Sequence, residues 1–335
     1  MNIRKATTIA ASMLMLIVFV NINDDAKAYI ASIKYGAQSE HTLAEAARTE
    51  AEKRQLYEHI KAEAEKRKIS PVDARIDRVW KAIPGYNGLE VDIERTYKAA
   101  LKMNDTSKLI YFYREVEPGI SLKDLGPHPI YKGNPNKRMI SLMINVAWGN
   151  EYIDPMLQTL EREGVKATFF FDGSWLKKNE DVAKKIQAAG HELSNHAYSH
   201  PNMSQLSRAA AYEEIQKTEQ LLKSTYGVDN KWFAPPSGDF NQATVEIAEE
   251  QGLKLLKWTI DTVDWRNPPP DAVIRKISSK LEPGALILMH PTATARDALS
   301  GIIAAARKQG YAIGTVSETL SSARLGDDVV GADIF

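Results

Sequence analysis

Apolar runs and amphipathic stretches alternate along the second part of the chain. Four short, turn-bounded runs rich in β-branched, aromatic and other apolar residues predict buried strands of the parallel type at 139–146, 167–171, 255–260 and 285–289. Stretches with helical spacing of apolar residues predict helices at 153–162, 180–189, 209–226, 242–251, 271–281 and 297–309. This alternation predicts an α/β fold with a parallel sheet and crossover helices.

Residues 29–137 have a different pattern, which predicts a small helical and α+β N-terminal module followed by a linker. Residues 42–68 are rich in Ala, Glu, Lys and Arg and predict one long, largely solvated helix. Further along, the pattern predicts a short amphipathic helix at 74–83, strands at 89–91 and 109–116, and a helix at 93–102 between them. Proline and glycine clusters at 118–135 predict the turn-rich linker.

The first 28 residues resemble an export signal. Arg4 and Lys5 precede an apolar run at 9–20, and Ala26-Lys-Ala28 offers the small residues that a signal peptidase prefers. We expect cleavage after Ala28 and an exported, extracytoplasmic protein of the cell envelope or spore. Attachment to the membrane through an uncleaved segment 1–28 stays open as the alternative, although the run is short for a spanning helix.

Composition narrows the function classes. The 335 residues suffice for one barrel-sized domain and a smaller module. Lys and Arg balance Asp and Glu at 43 each, so charge gives no reason to expect a nucleic-acid partner. The absence of cysteine excludes disulfides, thiolate metal sites and a lipoprotein anchor.

Two of the seven histidines, His196 and His200, are four residues apart, a spacing that a divalent metal ion can use. A hydrolytic zinc site usually has three protein ligands, so this pair alone does not complete one. The alternative is that both are ordinary polar loop residues.

Five sequence blocks carry a family resemblance: 165–170 (VKATFF), 190–200 (GHELSNHAYSH), 233–238 (FAPPSG), 261–265 (DTVDW) and 286–290 (LILMH). In this order they resemble the polysaccharide deacetylases, the NodB-homology enzymes of carbohydrate esterase family 4. The resemblance covers about residues 138–322, leaving 323–335 as a C-terminal tail. Within the family the chain most resembles the YlxY-like branch of spore-forming bacteria.

The resemblance implies a distorted (β/α) barrel with its chemistry at the carboxyl ends of the strands. His196 and His200 correspond to the family's metal ligands, His290 to its general acid and Asp264 to the carboxylate that orients this histidine. Four residues correspond to the substrate pocket: Trp265, Leu288, Pro235 and Trp148. The implied ligand is a cell-wall glycan, either peptidoglycan or a chitin-like oligosaccharide.

The family's first block, Thr-Phe-Asp-Asp-Gly, is altered in this chain. With Gly149 as the anchor, Ala147 replaces the catalytic base and Trp148 replaces the metal-binding aspartate. Ala234 replaces the arginine that pairs with the base, and Ser237 replaces a tyrosine. The loss of both charges is physically coordinated, because a buried arginine without its carboxylate is strongly destabilising.

Two functions are therefore open. One is an active metal-dependent N-deacetylase that uses substitute ligands, for which Asp172 is the candidate. The other, which we favour, is a fold with lost or strongly reduced catalysis that binds a glycan or a partner. In that case a divalent metal, zinc or similar, is held weakly or not at all. For Asp172 we favour a turn residue that bonds the local backbone.

Overall fold

A computed structural model describes residues 48–103, 106 and 108–324. These residues form two compact units, the first made of 48–68 and 90–114 and the second of 69–89 and 115–324. The predicted export segment 1–28, the beginning of the helix predicted at 42–68 and the tail from 325 lie outside the described residues. No helix of the described residues combines the length and apolar composition needed to cross a bilayer.

The strands are short apart from one of eight residues. In chain order they are Arg75–Asp77 (β1), Lys81–Ile83 (β2), Gly88–Val91 (β3), Tyr113–Val116 (β4), Met139–Val146 (β5), Thr168–Phe171 (β6), Glu192–Asn195 (β7), Trp232–Phe233 (β8), Lys254–Leu255 (β9), Ile260–Asp261 (β10), Leu286–Met289 (β11) and Ala312–Gly314 (β12).

The helices separate these strands along the chain. They are Glu50–Lys66 (α1), Ile93–Leu101 (α2), Asn150–Arg162 (α3), Gly173–Lys178 (α4), Glu180–Ala188 (α5), Arg208–Tyr226 (α6), Gln242–Glu250 (α7), Pro270–Ser278 (α8), Ala293–Lys308 (α9) and Val316–Leu320 (α10). Short 3₁₀ turns occur at Leu122–Leu125, Met203–Gln205, Pro236–Gly238 and Asp264–Arg266. The six helices predicted for the second part of the chain are all present, with ends that differ by about one helical turn at most.

An eight-stranded parallel sheet organises the second unit. Its strand order is β10-β11-β5-β6-β7-β8-β9, and β12 pairs with the beginning of β5. Side chains on one face of β5, such as Leu142 and Ile144, pack in the core formed with the surrounding helices, whereas Met143 packs with Phe170 and Ala234 in a second cluster. The curled sheet with its outer helices confirms the predicted distorted (β/α) barrel.

Residues 130–131 lie between the strands at the two edges of the curled sheet. The Ile130 N–H donates to the Leu255 carbonyl at 2.9 Å, and the Lys257 N–H donates to the Ile130 carbonyl at 2.8 Å. On the other side, the Thr259 hydroxyl donates to the Tyr131 carbonyl at 2.7 Å. The prediction of one strand at 255–260 is therefore wrong: the chain forms β9 at one edge, crosses to the other edge and forms β10 there.

The prediction of a helix at 74–83 is also wrong, because these residues form the antiparallel hairpin of β1 and β2. The Asp77 carboxylate accepts hydrogen bonds from the backbone N–H groups of Val79 and Trp80 at 2.8 and 2.9 Å. Lys81 has a φ of +58°, outside the helical region. Asp77 thus stabilises a turn by the local bonding that competes with helix formation.

The two compact units do not follow the boundary predicted at residue 138. Residues 69–89 and 115–137, which were predicted to belong to the N-terminal module and linker, are part of the second unit. The predicted linker contains turns, but Ile130, Lys132 and Asn134 in it are buried. A pattern of turn residues did not reveal this burial, because it depends on residues distant in the sequence, such as Leu255 for Ile130 and Pro84 for Asn134.

In the first unit α1 packs against α2. Tyr57 and Tyr97 make an edge-to-face contact with ring centroids 5.2 Å apart. The Thr49 side chain and Glu52 form a reciprocal capping box at the start of α1, which satisfies backbone donors there. The described part of the helix predicted at 42–68 is confirmed, as are the helix predicted at 93–102 and the strand predicted at 89–91. The strand predicted at 109–116 is shorter, since β4 begins at Tyr113.

Candidate active site

A cavity of about 440 Å³ lies at the carboxyl ends of the parallel strands in the second unit. Six of the predicted or aligned site residues border it: Trp148, His196, His200, Trp265, Leu288 and His290. Ser237, noted as the replacement of a family tyrosine, also borders it, together with Asn145, Trp258 and Asp261. Pro235 is buried but is not part of the lining.

The end of β5 presents Trp148 to the cavity. Gly149, the next residue, has a φ of +82°, and a Cβ there would collide with the carbonyl oxygen of Pro291, so the position requires glycine. The Trp148 side chain stays 46% exposed and stacks on the His290 imidazole, with ring centroids 5.7 Å apart and planes at 14°. An indole thus covers one face of His290.

His196 follows β7 and is buried, with its Nδ1–H donating to the Ala234 carbonyl at 2.7 Å. This bond leaves Nε2 as the free lone pair. Burial lowers the pKa of His196 to about 3, so its ring is neutral near pH 7. The exposed His200 lies close by, with ring centroids 5.1 Å apart, and has a φ of +59°.

Helix α6 holds the loop between the two histidines in place. The Glu214 carboxylate accepts hydrogen bonds from the backbone N–H groups of Tyr198 and Ser199 at 3.0 and 2.8 Å. Asn195 Oδ1 accepts from the Ala197 N–H at 2.8 Å, and its Nδ2 donates to Glu219 at 2.7 Å. These bonds fix a loop in which Ala197 also adopts a positive φ.

Asp264 and His290 form a hydrogen-bonded pair behind the cavity wall. The fully buried Asp264 carboxylate accepts from the His290 backbone N–H at 2.7 Å and lies 2.9 Å from the ring Nδ1. Two hydrogen bonds to one carboxylate therefore fix both the backbone and the ring of His290. Its Nε2 therefore has a defined direction at the cavity.

Two further tryptophans, Trp258 and Trp265, border the cavity, and each makes a cation–π contact with a basic side chain. The Arg266 guanidinium lies 4.6 Å from the centroid of Trp265, and the Lys257 ammonium lies 4.0 Å from that of Trp258. Trp265 is 49% exposed, whereas Leu288 beside the cavity is buried. Trp258 was not predicted, because it lies inside the run at 255–260 that was interpreted as one strand; in the structure it follows the carboxyl end of β9.

The donor groups of the described residues do not fit a catalytic zinc ion. Such a site has three protein ligands and an open position. Here His196 and His200 are two imidazoles, and no group of three or more His, Cys, Asp or Glu side chains in the described residues is placed to hold a metal. Trp148, at the position of the family's third ligand, has no group that can coordinate one.

Asp172 is engaged as the N-cap of α4. Its buried carboxylate accepts from the Trp175 N–H at 2.8 Å and from the Ser174 hydroxyl at 2.6 Å. Burial raises the pKa of Asp172, and these two bonds oppose that shift. The predicted role of bonding the local backbone is confirmed, at a helix start.

We expect Asp172→Asn to leave zinc affinity unchanged and to cost little stability, because asparagine is also a good N-cap. Asp172→Ala, which removes the cap, should cost about 1 kcal/mol of unfolding free energy. Zinc titration calorimetry and urea unfolding measure the two effects, with His196→Ala as the control that removes residual zinc binding. A tenfold loss of zinc affinity in Asp172→Asn, about 1.4 kcal/mol, would instead make Asp172 a ligand.

Comparison with known proteins agrees with this geometry. The sequence profile of the polysaccharide deacetylase family matches residues 132–256. The uncharacterized protein YlxY of Bacillus subtilis is 46% identical over 275 residues, which cover 82% of this chain and 86% of YlxY. The chain belongs to the polysaccharide deacetylase family, in its YlxY-like branch.

This chain is also similar to a peptidoglycan deacetylase and to a pseudoenzyme of the same family. The peptidoglycan-N-acetylglucosamine deacetylase of Bacillus cereus is 32% identical over 162 residues, covering 48% of this chain and 59% of the enzyme. The crystal structure of a CE4 family pseudoenzyme from Bacillus anthracis has a TM-score of 0.74 and 43% identity, covering 81% of this chain and 96% of that chain. A mutant of the pseudoenzyme, described as having restored enzymatic activity, has a TM-score of 0.73 and 42% identity, covering 81% of this chain and 99% of that chain.

Proposed function

We propose that this protein binds an N-acetylated glycan of the bacterial cell envelope, such as peptidoglycan or a chitin-like oligosaccharide, and has lost most or all deacetylase catalysis. The main support for this proposal is the pair of residues that follows β5. These are Ala147 and Trp148, where the family has its base and its third metal ligand, and the Trp148 indole stacks on His290. The bound substrate would thus meet an aromatic surface in place of two carboxylates.

Among the described residues, two other carboxylates at or behind the cavity are already engaged in hydrogen bonds. Asp261 borders the cavity, but its Oδ1 already accepts the Val263 N–H at 2.7 Å. Asp264 is fully buried and bonded to His290. Loss of a positioned general base typically slows a reaction about 10²–10⁴-fold. This supports strongly reduced catalysis even if a substrate binds in the normal orientation.

The cavity has the composition of a binding site. Trp148 and Trp265 are both about half exposed at its edge, and Asn145 and Ser237 add polar groups. Pockets for small ligands are usually lined by apolar and aromatic side chains with a few placed polar groups. Half-exposed indoles offer flat apolar faces for sugar rings and an N–H at the edge.

The relatives support the ligand class and the loss of catalysis. One acts on N-acetylglucosamine of peptidoglycan according to its name, and another is described as a pseudoenzyme. An envelope or spore location agrees with the signal-like sequence at 1–28. The alternative, an active metal-dependent N-deacetylase, is favoured by the His196–His200 pair and the Asp264–His290 pair, which both survive.

Calorimetry with the acetylated tetrasaccharide chitotetraose tests the proposal. We expect the purified protein to bind chitotetraose, to release no acetate with or without zinc, and to keep both its affinity and its thermal midpoint after EDTA treatment. Trp265→Ala should weaken binding, whereas Trp80→Ala, outside the cavity, should not.

Three results would contradict the proposal in different ways. Zinc-dependent acetate release would favour the active enzyme. An absence of binding would remove the glycan role. A fall of many degrees in the thermal midpoint with EDTA would indicate a structural ion.

A further inference from the structure

Asp261 is the last residue of β10 and lies beside Leu288 of the neighbouring strand β11. The two residues are in register across this parallel pair, so their side chains point to the same face of the sheet. Leu288 is in register with Met143 of β5 in the same way, and Met143 packs inside the barrel with Phe170 and Ala234. Asp261 and Leu288 therefore both point inward, and both border the cavity.

The Asp261 carboxylate is anchored through one of its two oxygens. Oδ1 accepts the Val263 N–H at 2.7 Å. Oδ2 makes no hydrogen bond or ion pair within the described part of the chain and is not one of its buried unpaired atoms, so it is accessible from the cavity. The Lys257 ammonium donates instead to the Gly238 carbonyl at 2.7 Å. An ionised carboxylate only accepts hydrogen bonds, so a ligand has to bring a donor to Oδ2.

An acetamido group has a donor and an apolar group on the same edge. Its amide bond is planar and trans, which places the N–H opposite the carbonyl oxygen and hence on the side of the methyl group. Neighbouring strands are about 4.8 Å apart, so Asp261 and the buried Leu288 present a carboxylate oxygen and an apolar surface next to each other. A hydroxyl group also brings a donor, but it has no methyl group to contact Leu288.

We propose that Asp261 is the specificity residue of the cavity: its Oδ2 accepts the acetamido N–H of a bound N-acetylhexosamine whose methyl group packs against Leu288. This inference rests on the proposed glycan-binding function and names the group of the glycan that the cavity recognises. A hydrogen bond to an ionised acceptor is stronger than one between neutral groups. A site built to bond an N–H discriminates against an analogue that lacks it, because its own polar group then loses water without gaining a partner.

Calorimetry on an isosteric variant tests the assignment. Asp261→Asn keeps an oxygen for the Val263 N–H but turns the amide NH₂, a donor, towards the cavity. We expect the wild-type protein to prefer chitotetraose, which has an acetamido group on each ring, to cellotetraose, which has a hydroxyl group there. Asp261→Asn should bind chitotetraose at least tenfold more weakly. Its affinity for cellotetraose should fall less, so the preference should be reduced.

Asp239→Asn is the matched control, because it removes a carboxylate near the same lysine. Burial lowers the pKa of Lys257, and the carboxylates of Asp239 and Asp261 both oppose that shift. Asp239 accepts hydrogen bonds from the Ser204 N–H and hydroxyl at 2.8 and 2.9 Å and is not part of the cavity lining. Asp239→Asn should therefore keep the wild-type affinity for both sugars. This control separates a contact with the glycan from the loss of a negative charge in the region.

A comparison of two ligands tests the same contact without any variant. In the ester analogue of the methyl glycoside of N-acetylglucosamine, an oxygen atom replaces the N–H, whereas the methyl and carbonyl groups stay. The wild-type protein should bind this ester at least tenfold more weakly than the amide, measured by competition with chitotetraose. Equal affinities for ester and amide would overturn the assignment even if Asp261→Asn does not fold.

The outcomes distinguish this inference from the proposed function. If Asp261→Asn folds and binds chitotetraose like the wild type, Asp261 is not the specificity residue, although glycan binding stands. If the variant weakens both sugars equally, the contact is to a hydroxyl group. If fully deacetylated chitotetraose binds more tightly than the acetylated form and loses this advantage in Asp261→Asn, the carboxylate binds an ammonium group and the assignment is wrong. If the wild type binds neither chitotetraose nor cellotetraose, both proposals fail.

Discussion

Replacing Trp148 and Ala147 together by aspartate should turn this protein into a zinc-dependent deacetylase. Trp148→Asp alone should raise zinc affinity, since it adds a carboxylate to the His196–His200 pair and completes the three ligands of a hydrolytic site. It should not restore full activity, because the base is still missing. The double variant should release acetate from chitotetraose about 10²–10⁴ times faster than Trp148→Asp.

Zinc titration calorimetry and acetate release separate the two steps. His196→Ala added to Trp148→Asp should abolish the gain in zinc affinity. Trp258→Asp is a matched control, since it makes the same substitution at another tryptophan of the cavity and should bring no gain. Equal rates in the single and double variants would show that Ala147 is not the vacant base position.

Apolar runs predicted the parallel sheet because its strands are buried on both faces, whereas the distorted barrel was implied by the family resemblance. The run at 139–146 coincides with β5, whose residues are all buried. The hairpin at 75–83 was missed because the Asp77 side chain, which bonds the Val79 and Trp80 N–H groups, overrides a weak helical period. The run at 255–260 reads as one strand, but its backbone groups bond to Ile130 on one side and to Leu286 on the other. The Thr259 hydroxyl in this run also donates to the Tyr131 carbonyl.

For the site, too, the local sequence predicted which residues take part but not the contacts between residues of different strands. The sequence blocks identified residues that the structure brings to one cavity, because the strand ends of a parallel barrel meet on one side. Pro235 was expected in the lining and is not there. The stacking of Trp148 on His290 and the alignment of Asp261 with Leu288 depend on groups from different strands. No local spacing predicts them.

Restoring only the family's arginine should be strongly destabilising. Ala234 is fully buried, and its carbonyl accepts the His196 Nδ1–H. Ala234→Arg would bury a guanidinium without a carboxylate partner, and we expect a loss of about 3–5 kcal/mol in unfolding free energy by analogy with broken buried ion pairs. Adding Ala147→Asp should recover part of this loss, because it supplies the partner that the family has at that position.

Urea unfolding of the wild type, both single variants and the double variant gives the coupling energy of the pair. Ala234→Met is the control for size, since a long uncharged side chain measures overpacking alone, about 1–3 kcal/mol. Equal losses in Ala234→Met and Ala234→Arg would attribute the effect to volume. A double variant no more stable than Ala234→Arg would show that positions 147 and 234 do not form a pair, and the coordinated loss of the two charges would then need another cause.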